Sequence, residues 1–344
     1  MQEATSEDAV VHFSKYESIG MDFALVGDAD NRRSFGSQQT AGFTSRSFGV
    51  GCVALLRVAQ GEGGVDLIVD DGGSPYANVW RSPTWDAAVR SAAVFARDED
   101  LVTSDVLTIA MRASGHHEGT VTVEVVDDSL VKLEVGVPAF GLGGHPTDRA
   151  SGPFRLELEV PPGFDTGDDW EVDDREDLML PVTPVSLRTR LHAVVSRDDI
   201  ERIFRYIGPE GCLSPGVPVG PTRRLISDSE PFSETGNRPV LDIVHVDSRS
   251  QITVGGASPW RHEAWPIGEG TCAAAAVARV AGAEQYIYAP SGFGDLVIEW
   301  DGSTDRGSPM TTTAAAVKVF EGQLIDVAGT RRAVNRTHLK ELLP

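Results

Sequence analysis

The sequence has few cysteines, few positive charges and no long apolar run, and each shortage excludes a class of protein. It has three cysteines, Cys52, Cys212 and Cys272, and so small and odd a number does not form a disulfide framework. We therefore expect a reducing compartment, the cytoplasm. No apolar run reaches the length that spans a bilayer, and residues 1–8 lack the basic and apolar regions of a signal peptide. No membrane association is expected.

Positive charge is also scarce. The 344 residues include 30 Lys and Arg but 51 Asp and Glu, which gives a formal net charge of −21. Such a surface repels phosphate backbones and anionic lipids, so nucleic acid is not an expected partner. Hydrophobic residues make up 41% of the chain and charged residues 24%, as in ordinary globular proteins, and the length suffices for two domains.

The most distinctive stretch is a glycine-rich turn that leads into a run of alanine. The run Gly268–Cys272 precedes four consecutive alanines and predicts a helix over 271–280, which should be buried because no face of it is polar. The first turn of a helix presents unpaired N–H groups that favour an anion. Gly268, Gly270 and Thr271 are therefore candidate substrate-binding residues. A buried core helix with a glycine entry explains the same pattern.

A second helix with small side chains is predicted over 83–96. Ser82 can cap it, Pro83 suits its first position, and Asp86 lies in the first turn, where the helix dipole favours an acid. Alanines again supply most of its faces. Two helices of the same kind, each preceded by strands and a turn, indicate a weak internal repeat.

Most of the remaining chain alternates apolar and polar residues, which predicts strands. The alternating segments 120–126 and 130–135 flank Asp127-Asp128-Ser129 and predict a hairpin. Segments 30–47 and 208–237 are predicted as loops, and segments 198–207 and 331–343 are predicted as short helices.

The segment 165–177 is dense in Asp and Glu. A calcium site is one interpretation, but the spacing of the acids fits no standard ligand loop. A solvated acidic loop is the favoured interpretation, and no metal is expected.

Several short segments, in order along the chain, together resemble a known superfamily. They are Lys15–Phe23, Gly49–Cys52, Asp71–Ser74, Val135–Phe140, Gly268–Ala275 and Val317–Gly322. The resemblance is to the diaminopimelate epimerase-like superfamily of cofactor-independent racemases, epimerases and isomerases. It implies an α+β fold of two pseudo-symmetric domains, each a curved, mostly antiparallel sheet wrapped around a central helix.

The resemblance also implies where the domains and the site lie. One domain comprises 1–130 with 315–344, and the other comprises 131–314 with an acidic insertion at 161–178. The site is expected in the cleft between the domains, where the N-termini of both helices converge. No cofactor is implied.

The two catalytic cysteines of the superfamily are not matched. In its epimerases, one thiolate removes a proton from a substrate carbon while the other thiol delivers a proton to the opposite face. The first position falls at or near Trp85 and the second at Ile267, and neither side chain can move a proton. Cys52 and Cys272 match packing cysteines instead. The resemblance thus implies a divergent member without the two-cysteine mechanism.

Other titratable side chains remain near the expected site. Glu269 and Asp86 occupy the first turns of the two helices, where the dipole favours a carboxylate, although dipole compensation alone explains both acids. His192 matches a histidine of the superfamily, and His262 with Glu263 precedes the second helix. Glu269, His192 and Asp86 are candidate catalytic groups, and His262 and Glu263 are candidate substrate-binding residues.

Arginines and tryptophans complete the candidate set. Arg188 and Arg190 either hold a substrate carboxylate or carry only surface charge. Four tryptophans lie beside the two helix entries: Trp80, Trp85, Trp260 and Trp265. Three interpretations of these tryptophans are open: they fill a site that has lost its catalytic groups, they line a pocket for a larger or aromatic ligand, or they belong to an ordinary core or interface.

Together these features predict an isomerase-like or cyclase-like enzyme of specialised metabolism that binds a small molecule derived from an amino acid, or a peptide. A non-catalytic protein on the same scaffold, which binds a peptide or a partner protein or forms a homodimer, is one alternative. An ordinary amino-acid epimerase is another. Fold alone does not choose between them.

Overall fold

The computed structural model describes two compact units. The first comprises Met1–Val131 with Ala315–Pro344, and the second comprises Lys132–Ala314. The described residues are 10–27, 35, 37–47, 49–61, 64–69, 85–113, 116–142, 155–166, 170–172, 178–188, 190–206, 219–230, 232–233, 239–257, 268–291, 294–303 and 307–325.

Strands dominate both units. In chain order they are β1 Val10–Ser18, β2 Met21–Val26, β3 Ala54–Gly61, β4 Gly64–Val69, β5 Val106–Ala113, β6 His116–Val125, β7 Leu130–Gly136, β8 Ala139–Phe140, β9 Leu156–Glu159, β10 Trp170–Val172, β11 Met179–Leu187, β12 Arg190–Ser196, β13 Phe204–Tyr206, β14 Val240–Ser248, β15 Gln251–Ala257, β16 Tyr286–Ala289, β17 Leu296–Glu299 and β18 Met310–Ile325. The helices are α1 Ser37–Thr44, α2 Trp85–Asp98, α3 Arg197–Ile203, α4 Val219–Asp228 and α5 Gly268–Val280.

In the first unit, β1 to β6 are neighbours in sequence order. The pairs β1–β2, β3–β4 and β5–β6 are antiparallel, whereas β2–β3 and β4–β5 are parallel. A parallel pair needs a crossover connection, and helices α1 and α2 lie in the two crossovers. The last part of β18 pairs antiparallel with β1, from Ser18 opposite Ala316 to Val10 opposite Ile325.

Helix α2 is the buried helix of the first unit. Every residue from Trp85 to Ala96 is buried, and the helix packs against β1 to β6. Its alanines leave little bulk between the helix axis and the strands, so the backbone of the sheet approaches closely.

In the second unit, the sheet runs through β18, β17, β16, β15, β14, β12 and β11. The pairs β12–β14 and β15–β16 are parallel, and the other pairs in this run are antiparallel. Helix α5 lies in the crossover between β15 and β16, and α3 and α4 lie in the crossover between β12 and β14.

Helix α5 is the buried helix of the second unit. Residues Gly268–Ala276 and Ala278 are buried, and the helix packs against β11, β12, β14, β15 and β17. A separate apolar cluster, which includes Ile200, Ile203, Leu225 and Phe232, packs α3 and α4 onto the sheet. The start of α5 therefore faces strands β12 and β14.

Two segments that were predicted as loops contain helices. Helix α1 lies within 30–47, where Phe43 is its large apolar anchor and meets the ring of Phe13 edge-on with centroids 5.2 Å apart. One anchor creates no helical periodicity, so the pattern missed it. Helix α4 lies within 208–237, where the large buried side chains, Leu225 and Ile226, are adjacent rather than three or four residues apart and follow a Gly-Pro pair that is typical of turns.

The helix predicted over 198–207 is wrong in its second half. Helix α3 ends at Ile203, and Phe204 takes an extended backbone with φ −106° and ψ 132°. The chain continues as β13, whose Tyr206 pairs with Trp170 of β10. The acidic segment predicted as a loop thus contributes a short strand, and this strand pairing ends the helix.

Several other predictions can be compared with the structure. The hairpin is confirmed, since β6 and β7 flank a turn in which the Asp127 carboxylate accepts hydrogen bonds from the N–H groups of Ser129 and Leu130. Helix α5 begins at Gly268 rather than 271, and α2 ends at Asp98 rather than 96. The helix predicted over 331–343 lies outside the described residues. No helix in the described part of the chain is long and apolar enough to cross a membrane.

Candidate functional site

Three titratable side chains meet inside the second unit. His192 lies on β12, Asp242 lies on the adjacent parallel strand β14, and Glu269 lies in the first turn of α5. Their side chains are only 0%, 3% and 2% exposed. Burying three ionisable groups in an apolar interior is costly unless they compensate one another, so their proximity demands a chemical explanation.

The imidazole ring lies between the two carboxylates. His192 Nδ1 is 2.7 Å from Asp242 Oδ2, a short hydrogen bond, and His192 Nε2 is 3.8 Å from Glu269 Oε1. The second distance is within ion-pair range but beyond a normal hydrogen bond. Asp242 therefore fixes the orientation of the ring, and Nε2 faces Glu269.

The charges of this cluster follow from its geometry. Burial alone lowers the pKa of His192, but the Asp242 carboxylate, together with that of Glu269, outweighs burial and raises the pKa to about 9. Burial raises the pKa of Asp242, and the neighbouring imidazolium opposes that rise. At neutral pH the ring is therefore an imidazolium flanked by two acids.

Arg190 adds a second positive charge. It lies two residues before His192 on β12, and successive odd or even residues of a strand share a face. Burial lowers the pKa of Arg190, while the carboxylates of Glu269 and Asp242 oppose this change. The guanidinium stays charged and therefore places a second positive charge beside the two acids.

A glycine lets the cluster reach the helix. A Cβ atom at Gly270 would lie 2.0 Å from Asp242 Oδ1, well inside van der Waals contact. Only glycine fits at this position while the Asp242 carboxylate lies against the first turn of α5. The N-terminus of the helix dipole also favours the negative charge of a carboxylate in that place.

In the first unit, the start of α2 is arranged differently. Trp85 is buried, and Arg90 Nη1 donates to Asp86 Oδ2 at 2.8 Å, one turn along the helix. The side chains of Asp86 and Arg90 are 2% and 0% exposed. The carboxylate of Asp86 is thus engaged by a cation of its own helix.

The structure brings together only part of the predicted site. His192, Glu269 and Arg190 interact electrostatically, and Gly270 lies against the same cluster. Arg188 lies just after β11 with its side chain exposed and a left-handed backbone, φ 50°. The remaining members in the first turn of α5, Gly268 and Thr271, are buried.

Other predicted site residues lie outside the described residues: Trp80, Trp260, Trp265, His262 and Glu263. Ile267, where the second cysteine position of the superfamily falls, also lies outside them.

Asp242 is the site residue that sequence reasoning missed. A signal existed, because Asp242 interrupts the apolar run Val240–Val244, and an acid within a buried strand needs a partner. No motif connected it to His192, which is 50 positions away in the chain and becomes a neighbour through the β12–β14 pairing.

Within the described residues, no group of three or more His, Cys, Asp or Glu side chains is arranged to hold a metal ion. Cys52 and Cys272 are buried and lie in different units. Burial raises the pKa of Cys52 to about 11, which leaves little thiolate at neutral pH.

Known proteins provide a further comparison. No family profile matches the chain. A diaminopimelate epimerase from Nitrosospira multiformis is 25% identical over 317 residues, which cover 91% of this chain and 97% of that protein. Over 91% of its length the chain is therefore similar to members of the diaminopimelate epimerase-like superfamily. It has the two-unit, mostly-sheet fold of this superfamily and is an isomerase- or epimerase-fold protein.

Solved structures support the same fold. A phenazine biosynthesis protein from Bacillus anthracis matches with a TM-score of 0.52 and 12% identity, over 92% of this chain and 99% of that one. A probable proline racemase from Agrobacterium radiobacter matches with a TM-score of 0.50 and 13% identity, over 91% of this chain and 92% of that one. At these identities the likeness shows the fold alone.

Proposed function

We propose that this protein is an isomerase-like or cyclase-like enzyme of specialised metabolism, acting on an amino-acid-derived or peptide substrate. One observation carries the proposal: His192 lies between Asp242 and Glu269 at the start of a buried helix. Acids and bases with perturbed proton affinities cluster at catalytic sites, and ordinary cores rarely bury so many charges.

In the proposed reaction, Glu269 is the acid–base group. Its carboxylate takes a proton from a substrate carbon next to a double bond. The electron pair of the broken C–H bond forms a new π bond, and the pair of the old double bond moves to its far end, which later takes up the proton. His192, as an imidazolium 3.8 Å away, stabilises the carboxylate before the transfer. The protonated Glu269 then returns the proton to another position of the same substrate, so that atoms and charge balance.

The proposed transfer uses one face of the substrate. Asp86, the equivalent acid in the first unit, already accepts a hydrogen bond from Arg90. The resemblance puts the first cysteine position of the epimerases at or near Trp85, which cannot move a proton. An enzyme with one acid–base cluster moves a proton along one face, whereas an epimerase needs donors on two faces. This supports a proton shift or a cyclisation over epimerisation.

The relatives support an amino-acid-derived substrate. The relative from Nitrosospira multiformis is a diaminopimelate epimerase, and the solved structures with the same fold include a probable proline racemase and a phenazine biosynthesis protein. The first two names refer to amino acids and the third to the biosynthesis of a small aromatic natural product. We propose the same broad class of substrate here.

The test is turnover by a Glu269→Gln variant. Purified protein is incubated with a panel of amino acids, dipeptides and unsaturated amino-acid derivatives in heavy water, and products are followed by proton NMR. Glu269→Gln should lose at least 100-fold in rate, since a general base contributes about 10²–10⁴. The matched control is Glu284→Gln at an exposed position. Equal turnover by both variants would contradict the role of Glu269.

A second candidate is a non-catalytic binding protein on the same scaffold. The near-complete burial of Trp85 and of the His192 cluster favours it, because buried groups also serve as fixed structure. In this case ligands from the same panel bind without turnover, and Glu269→Gln leaves their affinity within about threefold. Loss of turnover without loss of binding in that variant would instead favour the enzyme.

A further inference from the structure

A carboxylate that contacts no substrate in the proposed reaction lies at the centre of the cluster. Asp242 is on the Nδ1 side of His192, whereas Glu269 is on the Nε2 side. The two acids therefore have different surroundings. Nδ1 of His192 is hydrogen-bonded to Asp242 on β14, whereas Nε2 faces Glu269 at the start of α5.

We infer that Asp242 is a positioning residue that holds His192 as an imidazolium, so that Glu269 keeps the proton it takes from the substrate and returns it. This inference rests on the proposed acid–base role of Glu269. A neutral imidazole would accept the proton of Glu269 and pass it on, whereas an imidazolium has no free lone pair. Asp242 thereby prevents loss of the transferred proton.

The surroundings of His192 identify the groups that set its charge. Its strand neighbours are apolar, with Val185 opposite on β11 and Val240 opposite on β14. The charged groups that face it are Asp242 from β14 and Glu269 from α5. Both carboxylates also interact with Arg190, which lies on the same strand as His192. Asp242 is the closer acid by 1.1 Å, from 3.8 Å and 2.7 Å, and is hydrogen-bonded.

Geometry holds Asp242 in this position. Its Oδ2 contacts the imidazole while its Oδ1 lies where a Cβ of residue 270 would be, so the carboxylate bridges His192 and the first turn of α5. It is nearly fully buried, and solvent therefore screens the interaction little. The acid cannot swing away without moving the helix start or opening a space in the core.

The decisive measurement is the titration of His192 by ¹⁵N NMR in protein labelled at histidine. The protein has eight histidines, and the His192 signal is assigned from a His192→Gln variant. In the unaltered protein, both ring nitrogens of His192 should remain protonated at pH 7.5. A neutral His192 ring at that pH overturns the inference.

Two variants separate the tasks of the acids. Asp242→Asn should lower the midpoint of the His192 titration by about 1–3 pH units, the usual effect of one nearby opposite charge. Glu269→Gln should lower it less, because its carboxylate is farther away. The reverse order, or equal shifts, overturns the inference. If Asp242→Asn does not fold, the Glu269→Gln spectrum still decides, since a neutral ring in it refutes the assignment to Asp242.

A surface variant serves as the control. Asp198 lies 3.4 Å from the half-exposed His245, which is on the same strand as Asp242. Asp198→Asn should leave the His192 titration unchanged. The spectra report the protonation of His192 and not turnover. They can therefore refute the role of Asp242 even if Glu269 proves to be catalytic. They can equally support the role of Asp242 even if no substrate is turned over.

Discussion

The close contact between Gly270 and Asp242 predicts that Gly270→Ala lowers the stability of the protein, although glycine-to-alanine changes within helices usually raise it. Alanine is favoured over glycine in a helix by about 1 kcal/mol. A Cβ at residue 270, however, would lie 2.0 Å from Asp242 Oδ1 and 2.8 Å from its Cγ. Overpacking of a core costs about 1–3 kcal/mol, and disrupting a buried ion pair costs about 3–5 kcal/mol. Gly270→Ala should therefore destabilise the protein by about 2 kcal/mol or more.

The assay is urea unfolding, followed by circular dichroism. With a slope of about 2–3 kcal/mol/M, a loss of about 2 kcal/mol lowers the midpoint by roughly 0.7–1 M. The matched control is the same Gly270→Ala change in an Asp242→Ala background, where the added Cβ meets no carboxylate and should raise the midpoint. A rise in the midpoint of Gly270→Ala like that of the control would refute the wedged position of Asp242.

Three further predictions concern the buried polar groups. Arg90→Met leaves the buried Asp86 carboxylate without its cation and should lower the free energy of unfolding, measured in urea, by about 3–5 kcal/mol. Adding Asp86→Leu to this variant should restore most of the loss, and no recovery would contradict the prediction. Because the pKa of His192 rises from about 6.5 unfolded to about 9 folded, its contribution of about 3 kcal/mol is complete below pH 6.5 and lost as the pH rises through 9. The stability difference between the unaltered protein and His192→Gln should shrink accordingly between pH 6 and pH 10, and a constant difference would argue against the raised pKa. Cys52 and Cys272 should resist iodoacetamide at pH 8 until the protein is unfolded, as peptide mapping by mass spectrometry can check.

The features that the sequence predicted well are those encoded by local pattern. The hairpin around Asp127, the alanine-rich helices and the strands near both termini of the described chain follow from periodicity within ten or so residues. Helices α1 and α4 were missed because their anchors are few and their first turns resemble loops. Strand β13 was missed because its partner β10 lies in a segment whose acidic composition concealed it.

The candidate site was only partly predictable for a related reason. His192 was found through resemblance and Glu269 through its place in a helix start, since both signals are local. Asp242 acquires its meaning only when β12 and β14 pair in parallel, and parallel strands are joined by a crossover. No pattern within a short window could reveal this partnership.

The alanines of α5 have a consequence for how this protein can change. Ala273, Ala274, Ala275, Ala276 and Ala278 are all at most 3% exposed, and α5 packs against five strands. Any larger side chain there would push the strands apart and carry the histidine away from the acid at the helix tip. The alanines of α5 thus keep the distance between the helix and the sheet constant. Substitutions that alter activity should therefore accumulate in the first turn of α5 and on the two strands that face it.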